Sequence, residues 1–168
     1  MKIVAAFLIS ACALCAAVPG QTRSVKNGKK VKETKAEKRF INPEGLAVSP
    51  AYTQVVTARG GKTVYISGQV PLDAKGELVG KGDLRAQTLK VFENLRIALA
   101  AAGANFSDVV KLSYFIKNYK PADRLLIRQI RDRFFPADKP LPASTLIGVD
   151  ALFLDDVLIE VECVAVVD

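Results

Sequence analysis

The stretch DLRAQTLKVFENLRIALAAAG, residues 83–103, has the periodicity of an amphipathic helix. Apolar and small side chains recur at helical spacing along it, namely Leu84, Thr88, Val91, Phe92, Leu95, Ala98, Leu99 and Ala102. Asp83 is of a residue type that caps helix N-termini, and Gly103 is of the type that ends helices. The stretch therefore predicts a helix over residues 84–102 with one buried face.

Strand-like runs surround this helix on both sides. Arg59-Gly60-Gly61 is a turn sequence that suits a β-hairpin between the two runs that flank it. The predicted elements are strands at 52–58, 62–67, 70–72, 77–79, 109–116, 145–152 and 157–167, and a second helix at 121–135 whose Leu125, Leu126, Ile130 and Phe134 face inward. This order predicts an α+β fold in which two helices pack on one face of a single mixed β-sheet.

The first 40 residues have a different character. Residues 1–20 are typical of a signal peptide, with a positive Lys2, an apolar run at 3–17 and a helix-breaking Pro19-Gly20. The apolar run is too short for a membrane span, because a span needs about 20 apolar residues. A second interpretation is a lipoprotein signal, in which Cys12 would be lipidated and would hold the protein at a membrane. Residues 21–40 are polar and lysine-rich and predict a flexible linker. We therefore expect an exported protein, periplasmic or secreted, with a folded domain at 41–168.

The charge of the chain is concentrated in this N-terminal part. Residues 1–40 carry nine Lys/Arg and two Glu, which accounts for the whole formal charge of +7. Residues 41–168 carry fifteen basic and fifteen acidic residues. A domain without net charge lacks the positive surface that would attract nucleic-acid phosphates, so no nucleic-acid partner is expected.

Several catalytic chemistries are excluded by composition. The chain has no histidine, which rules out a Ser-His-Asp or Cys-His arrangement and any His-containing metal site. Within residues 41–168 the single cysteine is Cys163, in an apolar strand, so a thiolate zinc site is also excluded and a buried structural role is expected. We expect neither a metal nor a cofactor.

Three short segments are more specific: Tyr65-Ile66-Ser67-Gly68-Gln69-Val70-Pro71, Pro142-Ala143-Ser144-Thr145 and Ile159-Glu160-Val161-Glu162. In order and spacing they resemble the reactive intermediate deaminase (Rid) family, formerly YjgF and also labelled endoribonuclease L-PSP. The resemblance covers nearly all of residues 41–168. It implies a Rid or chorismate-mutase-like fold and a homotrimer that holds a small-molecule ligand in each cleft between adjacent subunits.

The resemblance also assigns roles to individual residues. Deaminating members hydrolyse imines or enamines, and they need a carboxyl group to direct water and a cation to hold the substrate carboxylate. Glu160 matches the family's catalytic glutamate, although two glutamates at alternate positions can equally mark the solvent face of a strand. Tyr52 matches a tyrosine near the cleft, and Ser67 and Gly68 match the turn beneath the ligand.

The position of the family's carboxylate-binding arginine is occupied by Ser144. Serine offers one neutral hydrogen bond where arginine offers two charge-assisted bonds, so a carboxylate held only at this position would bind much more weakly. Arg124, Arg128 and Arg131 follow one another at helical spacing on the second helix. Arg128 corresponds to a cleft-facing position in the family and is the candidate replacement, while a solvated charged helix face is the alternative.

These observations leave more than one function open. The first hypothesis is hydrolysis of an imine, an enamine or a related C–N bond, with Glu160 directing water. The second is a non-catalytic ligand-binding or chaperone-like trimer that has lost the anchoring arginine. RNA cleavage is the least favoured, because proton transfer in ribonucleases usually recruits His or Lys and phosphate binding needs a basic surface.

Overall fold

The computed structural model describes residues 34–168. The predicted signal peptide and residues 21–33 of the predicted linker lie outside this range. Among the described residues, no helix is both long and apolar enough to cross a membrane.

A mixed sheet of four strands forms the centre of the domain. Its strands are β3 (Lys62–Gln69), β4 (Val109–Lys117), β5 (Ala143–Val149) and β6 (Ile159–Val167), in the spatial order β3-β6-β4-β5. Strand β6 runs antiparallel to both of its neighbours, and β4 and β5 are parallel. Two helices, α1 (Leu84–Ala101) and α2 (Asp123–Arg131), pack against this sheet, as the order of elements predicted.

Helix α1 confirms the prediction made from its periodicity. The Asp83 carboxylate accepts hydrogen bonds from the backbone N–H groups of Arg85 at 2.8 Å and Ala86 at 3.1 Å. Val91, Phe92, Leu95 and Leu99 are fully buried. Gly103 has a φ of 75°, the left-handed conformation that glycine adopts most easily after a helix. Capping and burial therefore act at the positions that the sequence indicated.

Helix α2 is shorter than the predicted 121–135. After Arg131 the chain forms turns whose hydrogen bonds join residues three apart instead of the four of an α-helix. The N–H of Arg133 donates to the carbonyl of Ile130, and that of Phe134 donates to the carbonyl of Arg131. This turn brings Phe134 within 5.3 Å of the Phe92 ring, measured between centroids, in a cluster of core aromatics. Leu125, which was predicted to face inward, is 62% exposed.

The predicted hairpin between residues 52–58 and 62–67 is wrong in its pairing. Strand β2 (Val55–Arg59) pairs instead with β1 (Glu37–Ile41), in a separate antiparallel ladder, and β3 pairs with β6. Strand β1 includes residues 37–40, which were assigned to the linker. Lys38 anchors this strand, because its Nζ contacts the Asp108 carboxylate at 2.9 Å and the Val166 carbonyl at 3.1 Å. The domain therefore begins upstream of residue 41.

The two faces of the sheet differ in character. Alternate residues of β4 and β6 are buried under the helices, and they are Leu112, Tyr114, Ile116, Ile159, Val161, Cys163 and Ala165. The other face carries Glu160 and Glu162, and on neighbouring strands Tyr65 is 80% exposed and Ile147 is 43% exposed. Cys163 is buried and free among the described residues, and burial followed by the charge of Glu162 raises the pKa of its thiol to about 12. The expected structural role of this cysteine is thereby confirmed.

Candidate functional site

A cavity of about 650 Å³ lies between helix α2, the adjoining strands β4 and β5, and the loop 49–52. We call it the arginine cavity. Its lining includes Tyr52, Arg128 and Ser144, so the structure brings three of the predicted site residues together. Arg124, Arg131 and Tyr114 also line it. None of the described residues that line this cavity is a carboxylate.

The loop that carries Tyr52 is held in place on both sides of this residue. At residue 53, the backbone N–H donates to the carbonyl of Pro142 at 3.2 Å, and the Thr53 hydroxyl donates to the carbonyl of Leu141. At residue 51, the carbonyl oxygen of Ala51 accepts a hydrogen bond from the Arg131 guanidinium. The loop is thus tied to the start of β5 and to the end of α2. This fixes Tyr52 beside Ser144 and Arg128.

Arg131 is the most buried cation of the cavity, at 5% exposure. Besides Ala51, it contacts the Asp132 carboxylate, with Nε 2.9 Å from Oδ1. Burial raises the pKa of the neighbouring Tyr114 hydroxyl, and the Arg131 charge only partly opposes this effect. Tyr114 therefore stays protonated at neutral pH and offers the cavity a neutral hydroxyl. Helical spacing in the sequence did not distinguish Arg131 from Arg124 and Arg128. The burial of Arg131 could not be predicted, because it depends on the loop 49–52, which packs over it.

Arg128 is less constrained than Arg131. Its side chain is 38% exposed, and its Nε lies 3.6 Å from Oδ2 of Asp132, one helical turn further along. Exposed ion pairs of this kind contribute little stability, so a ligand anion can compete with Asp132 for the guanidinium. Arg128 therefore lies partly enclosed in the cavity lining and not on a fully solvated helix face.

Glu160 lies outside the arginine cavity. On β4, the residue that pairs with Ser144 is Leu112, whereas the residue that pairs with Glu160 is Phe115. Positions three residues apart in a strand point to opposite faces. Within one subunit, Ser144 and Glu160 are therefore on opposite sides of the sheet.

Ser67 and Gly68 lie on the Glu160 side, where the pairing of β3 with β6 is irregular between Ile66 and Gln69. Such bulges re-aim side chains and are common beside active sites. A Cβ built on Gly68 would overlap the Glu160 carboxylate, so this carboxylate rests directly against the glycine backbone. Ser67 is exposed at the same bulge. The structure thus places Glu160, Ser67 and Gly68 in a second group, apart from the cavity.

The environment of Glu160 makes its carboxyl group easier to protonate than that of an ordinary glutamate. Partial burial and, secondly, the charge of Glu162 raise the pKa of the Glu160 carboxyl above its ordinary value. Among residues 34–168, no hydrogen bond or ion pair reaches this carboxylate. A carboxyl group in such a setting is suited to exchanging protons with a substrate. No cluster of three or more potential metal ligands occurs in the described part of the chain.

Comparison with known proteins identifies the family. A family model described as Endoribonuclease L-PSP matches residues 44–167. The chain belongs to this family, the Rid family. A protein from Yersinia pestis, described as of unknown function and of the conserved Rid protein family YyfB, is similar in structure. It has a TM-score of 0.72 and 40% identity, with 77% of this chain and 98% of that chain covered.

Two relatives of the present chain have names that describe an activity. The 2-iminobutanoate/2-iminopropanoate deaminase of Dermatophagoides farinae is 33% identical over 133 residues, which are 78% of this chain and 98% of that protein. The 3-aminoacrylate deaminase RutC of Acinetobacter baylyi is 34% identical over 128 residues, which are 76% of this chain and 97% of that protein. The resemblance drawn from the three short segments is confirmed.

Proposed function

We propose that this chain is an exported Rid protein that hydrolyses a C–N bond of a small imine or enamine at a site formed between two subunits. The observation that carries the proposal is the division of the candidate residues between the two faces of the sheet. One face supplies cations and hydroxyls, and the other supplies a carboxyl group with a raised pKa. A single subunit cannot bring both groups to one small substrate. A cleft between subunits of a homotrimer, the assembly typical of the family, would do so.

The proposed reaction needs only water as a co-substrate. Glu160 accepts a proton from a water molecule whose oxygen attacks the imine carbon, and the C=N π electrons move to the nitrogen, which takes up a proton. The carbinolamine then collapses: its hydroxyl gives up a proton and forms the C=O bond, the amino nitrogen takes up a proton, and the C–N bond breaks to release ammonia. A carboxyl group with a raised pKa serves both proton transfers, because catalysis is most efficient when the pKa approaches the working pH.

Arg128 is the proposed anchor for the substrate carboxylate. Ser144 cannot supply a charge at the position that the family's arginine occupies, and Arg131 is already engaged with Ala51 and Asp132. Arg128 lines the same cavity as Ser144 and is held only by a long contact to an exposed carboxylate. Tyr52 and Ser144 add neutral hydrogen-bonding groups beside it, so a carboxylate would meet one charged and two neutral partners.

The anchor is tested with Arg128→Gln. Loss of a charge-assisted contact costs about 2–5 kcal/mol, so we expect kcat/KM for 2-iminopropanoate and 2-iminobutanoate to fall at least 30-fold. The imines are generated in situ by an amino-acid oxidase, and ammonia release is followed with the full chain. Arg133→Gln is the matched control, because Arg133 is exposed just beyond α2 and is not part of the cavity lining. Equal rates in the two variants would remove Arg128 from the site.

Gly68→Ala tests the placement of the Glu160 carboxylate. The added methyl group would overlap Oε1, and the flexible glutamate side chain would have to swing aside. Because displacement of a reacting group by about 1 Å can cost roughly 100-fold in rate, we expect a loss of 10- to 100-fold in imine hydrolysis with little change in the urea unfolding midpoint. An unchanged rate would show that hydrolysis does not depend on this contact.

The alternative is a ligand-binding or chaperone-like trimer without catalysis. Ser144 at the position of the family's arginine is the feature that favours this alternative. It would be supported if the full chain does not accelerate imine hydrolysis over buffer while the cavity still binds small anions. RNA cleavage remains the least favoured, because the excess positive charge lies in residues 1–40.

Export is proposed from residues 1–20 alone, with membrane attachment only if Cys12 is lipidated. Mass determination of the protein recovered from a secreting host would test both processing events.

A further inference from the structure

The arginine cavity holds more positive charge than a monocarboxylate requires. Arg124, Arg128 and Arg131 line it, and the carboxylate of Asp132 is shared between Arg128 and Arg131. Arg131 uses its guanidinium for Ala51 and Asp132 and is structural. Arg124 is exposed, and Arg128 has only its long contact to Asp132. Apart from the paired Arg131, the other residues that line the cavity beside them carry neutral hydroxyls or apolar side chains.

Arg124 has no ion pair among the described residues. The neighbouring carboxylate of Asp123 is occupied by the start of the helix, where its Oδ2 accepts a hydrogen bond from the N–H of Lys120 at 2.8 Å. Arg124 and Arg128 are four residues apart on α2, so they are adjacent on one helix face, and like charges at this spacing destabilise a helix slightly. A ligand with two negative groups would remove this repulsion.

We propose that the preferred substrate is a 2-imino dicarboxylate, an inference that rests on the proposed function. Arg128 takes the carboxylate next to the imine carbon, and Arg124 takes the distal carboxylate. Side chains at this helical spacing are about 5–6 Å apart at Cβ, which is comparable to the separation of the two carboxylates in a five-carbon dicarboxylic acid. The cavity of about 650 Å³ has room for such a molecule. Arg124 is then the residue that determines specificity.

The reaction balances without an oxidant or reductant. For 2-iminoglutarate, water adds across the C=N bond and ammonia leaves, so that 2-oxoglutarate and ammonia are formed. Within the substrate only the imine carbon and nitrogen change their bonds, the water supplies the carbonyl oxygen and two protons of the ammonia, and the distal carboxylate takes no part. Its role is to contribute binding energy that a monocarboxylate lacks, and this contribution is what Arg124 would supply.

The test compares two substrates of equal chain length with the full chain. 2-Iminoglutarate and 2-iminopentanoate are generated in situ from glutamate and norvaline. They differ only at carbon 5, which is a carboxylate in the first and a methyl group in the second. We expect kcat/KM to be at least 10-fold higher for 2-iminoglutarate, and we expect Arg124→Gln to reduce this ratio about 10-fold. Arg133→Gln, at an exposed position outside the cavity lining, should keep the wild-type ratio. Calorimetric titration with 2-oxoglutarate and 2-oxopentanoate measures the same preference without catalysis.

The outcomes separate this inference from the proposed function. Hydrolysis of both imines at similar rates overturns the dicarboxylate assignment and keeps the deaminase. A preference for 2-iminoglutarate that Arg124→Gln leaves intact overturns the role of Arg124 as the residue that binds the distal carboxylate. If neither imine is hydrolysed but 2-oxoglutarate binds at least 10-fold more tightly than 2-oxopentanoate in an Arg124-dependent way, the two-anion site stands and the deaminase falls. Absence of both hydrolysis and preferential binding overturns both.

Discussion

Glu160→Gln should reduce imine hydrolysis by at least 100-fold. Glutamine keeps the size of the side chain but cannot exchange a proton, and general acid–base groups typically contribute about 10²–10⁴-fold to rate. Glu160 makes no hydrogen bond or ion pair within the described part of the chain, so its replacement should leave the unfolding midpoint unchanged. The measurement is kcat/KM for in situ generated imines, together with urea unfolding of both proteins.

The matched control is Glu162→Gln. Glu162 lies two residues further along β6 on the same face and is exposed. Its charge is the second cause of the raised pKa of Glu160, so its removal should lower that pKa. If Glu160 acts as the deprotonated base, the acid limb of the pH–rate profile should move to lower pH in Glu162→Gln, while the rate on the plateau stays the same. Equal losses on the plateau in the two variants would contradict a specific role for Glu160.

Arg131→Ala should cause the largest loss of stability among the arginines of the cavity. Its guanidinium is buried and serves the carbonyl of Ala51 and the carboxylate of Asp132, beside the buried Tyr114. Leaving the part-buried Ala51 carbonyl without a donor costs about 1–3 kcal/mol, and the Asp132 carboxylate is exposed enough for water to replace its partner. Truncation of the buried arginine stem adds lost packing, so we expect the free energy of unfolding to fall by roughly 2–4 kcal/mol. Urea denaturation at a fixed protein concentration measures this fall, because the proposed trimer would make stability depend on concentration.

Two further variants make this second result interpretable. Arg133→Ala removes an exposed arginine two residues away and should change stability by no more than about 0.5 kcal/mol. Arg131→Lys keeps the charge but loses the planar fork that serves two partners at once, so it should recover only part of the loss. A full recovery by lysine, or equal effects at residues 131 and 133, would show that Arg131 does not hold the loop 49–52 as the structure indicates.

Local patterns predicted much of the fold. The capping residue Asp83, the apolar spacing along 84–102 and Gly103 are short-range signals, and each of them acts in the structure as expected. The end of α2 was harder to predict, because the periodicity continues to Phe134 and Phe135. Those two rings turn into the core beside Phe92 and Phe106, and that packing ends the helix before the residue pattern does.

Strand pairing was not predictable from local signals. Arg59-Gly60-Gly61 is a sound turn sequence, and Gly60 and Gly61 both have positive φ values of 69° and 66°. A turn determines that the chain reverses but does not determine which strands share hydrogen bonds. Here β2 finds its partner in residues 37–41, because Lys38 reaches the Asp108 carboxylate and ties that segment to the domain.

By itself, the sequence determined the family and the α+β class, because these depend on residue types at short spacing. It also marked candidate site residues, which are Tyr52, Ser67, Gly68, Arg128, Ser144 and Glu160. Only the tertiary structure decided that Ser144 and Glu160 face opposite sides of the sheet, since side-chain direction follows from register with β4. It also decided the different positions of the arginines of α2. Arg131 is buried under the loop 49–52, whereas Arg124 and Arg128 remain open to the cavity, because burial is set by what packs against a residue and not by its place in the helical repeat.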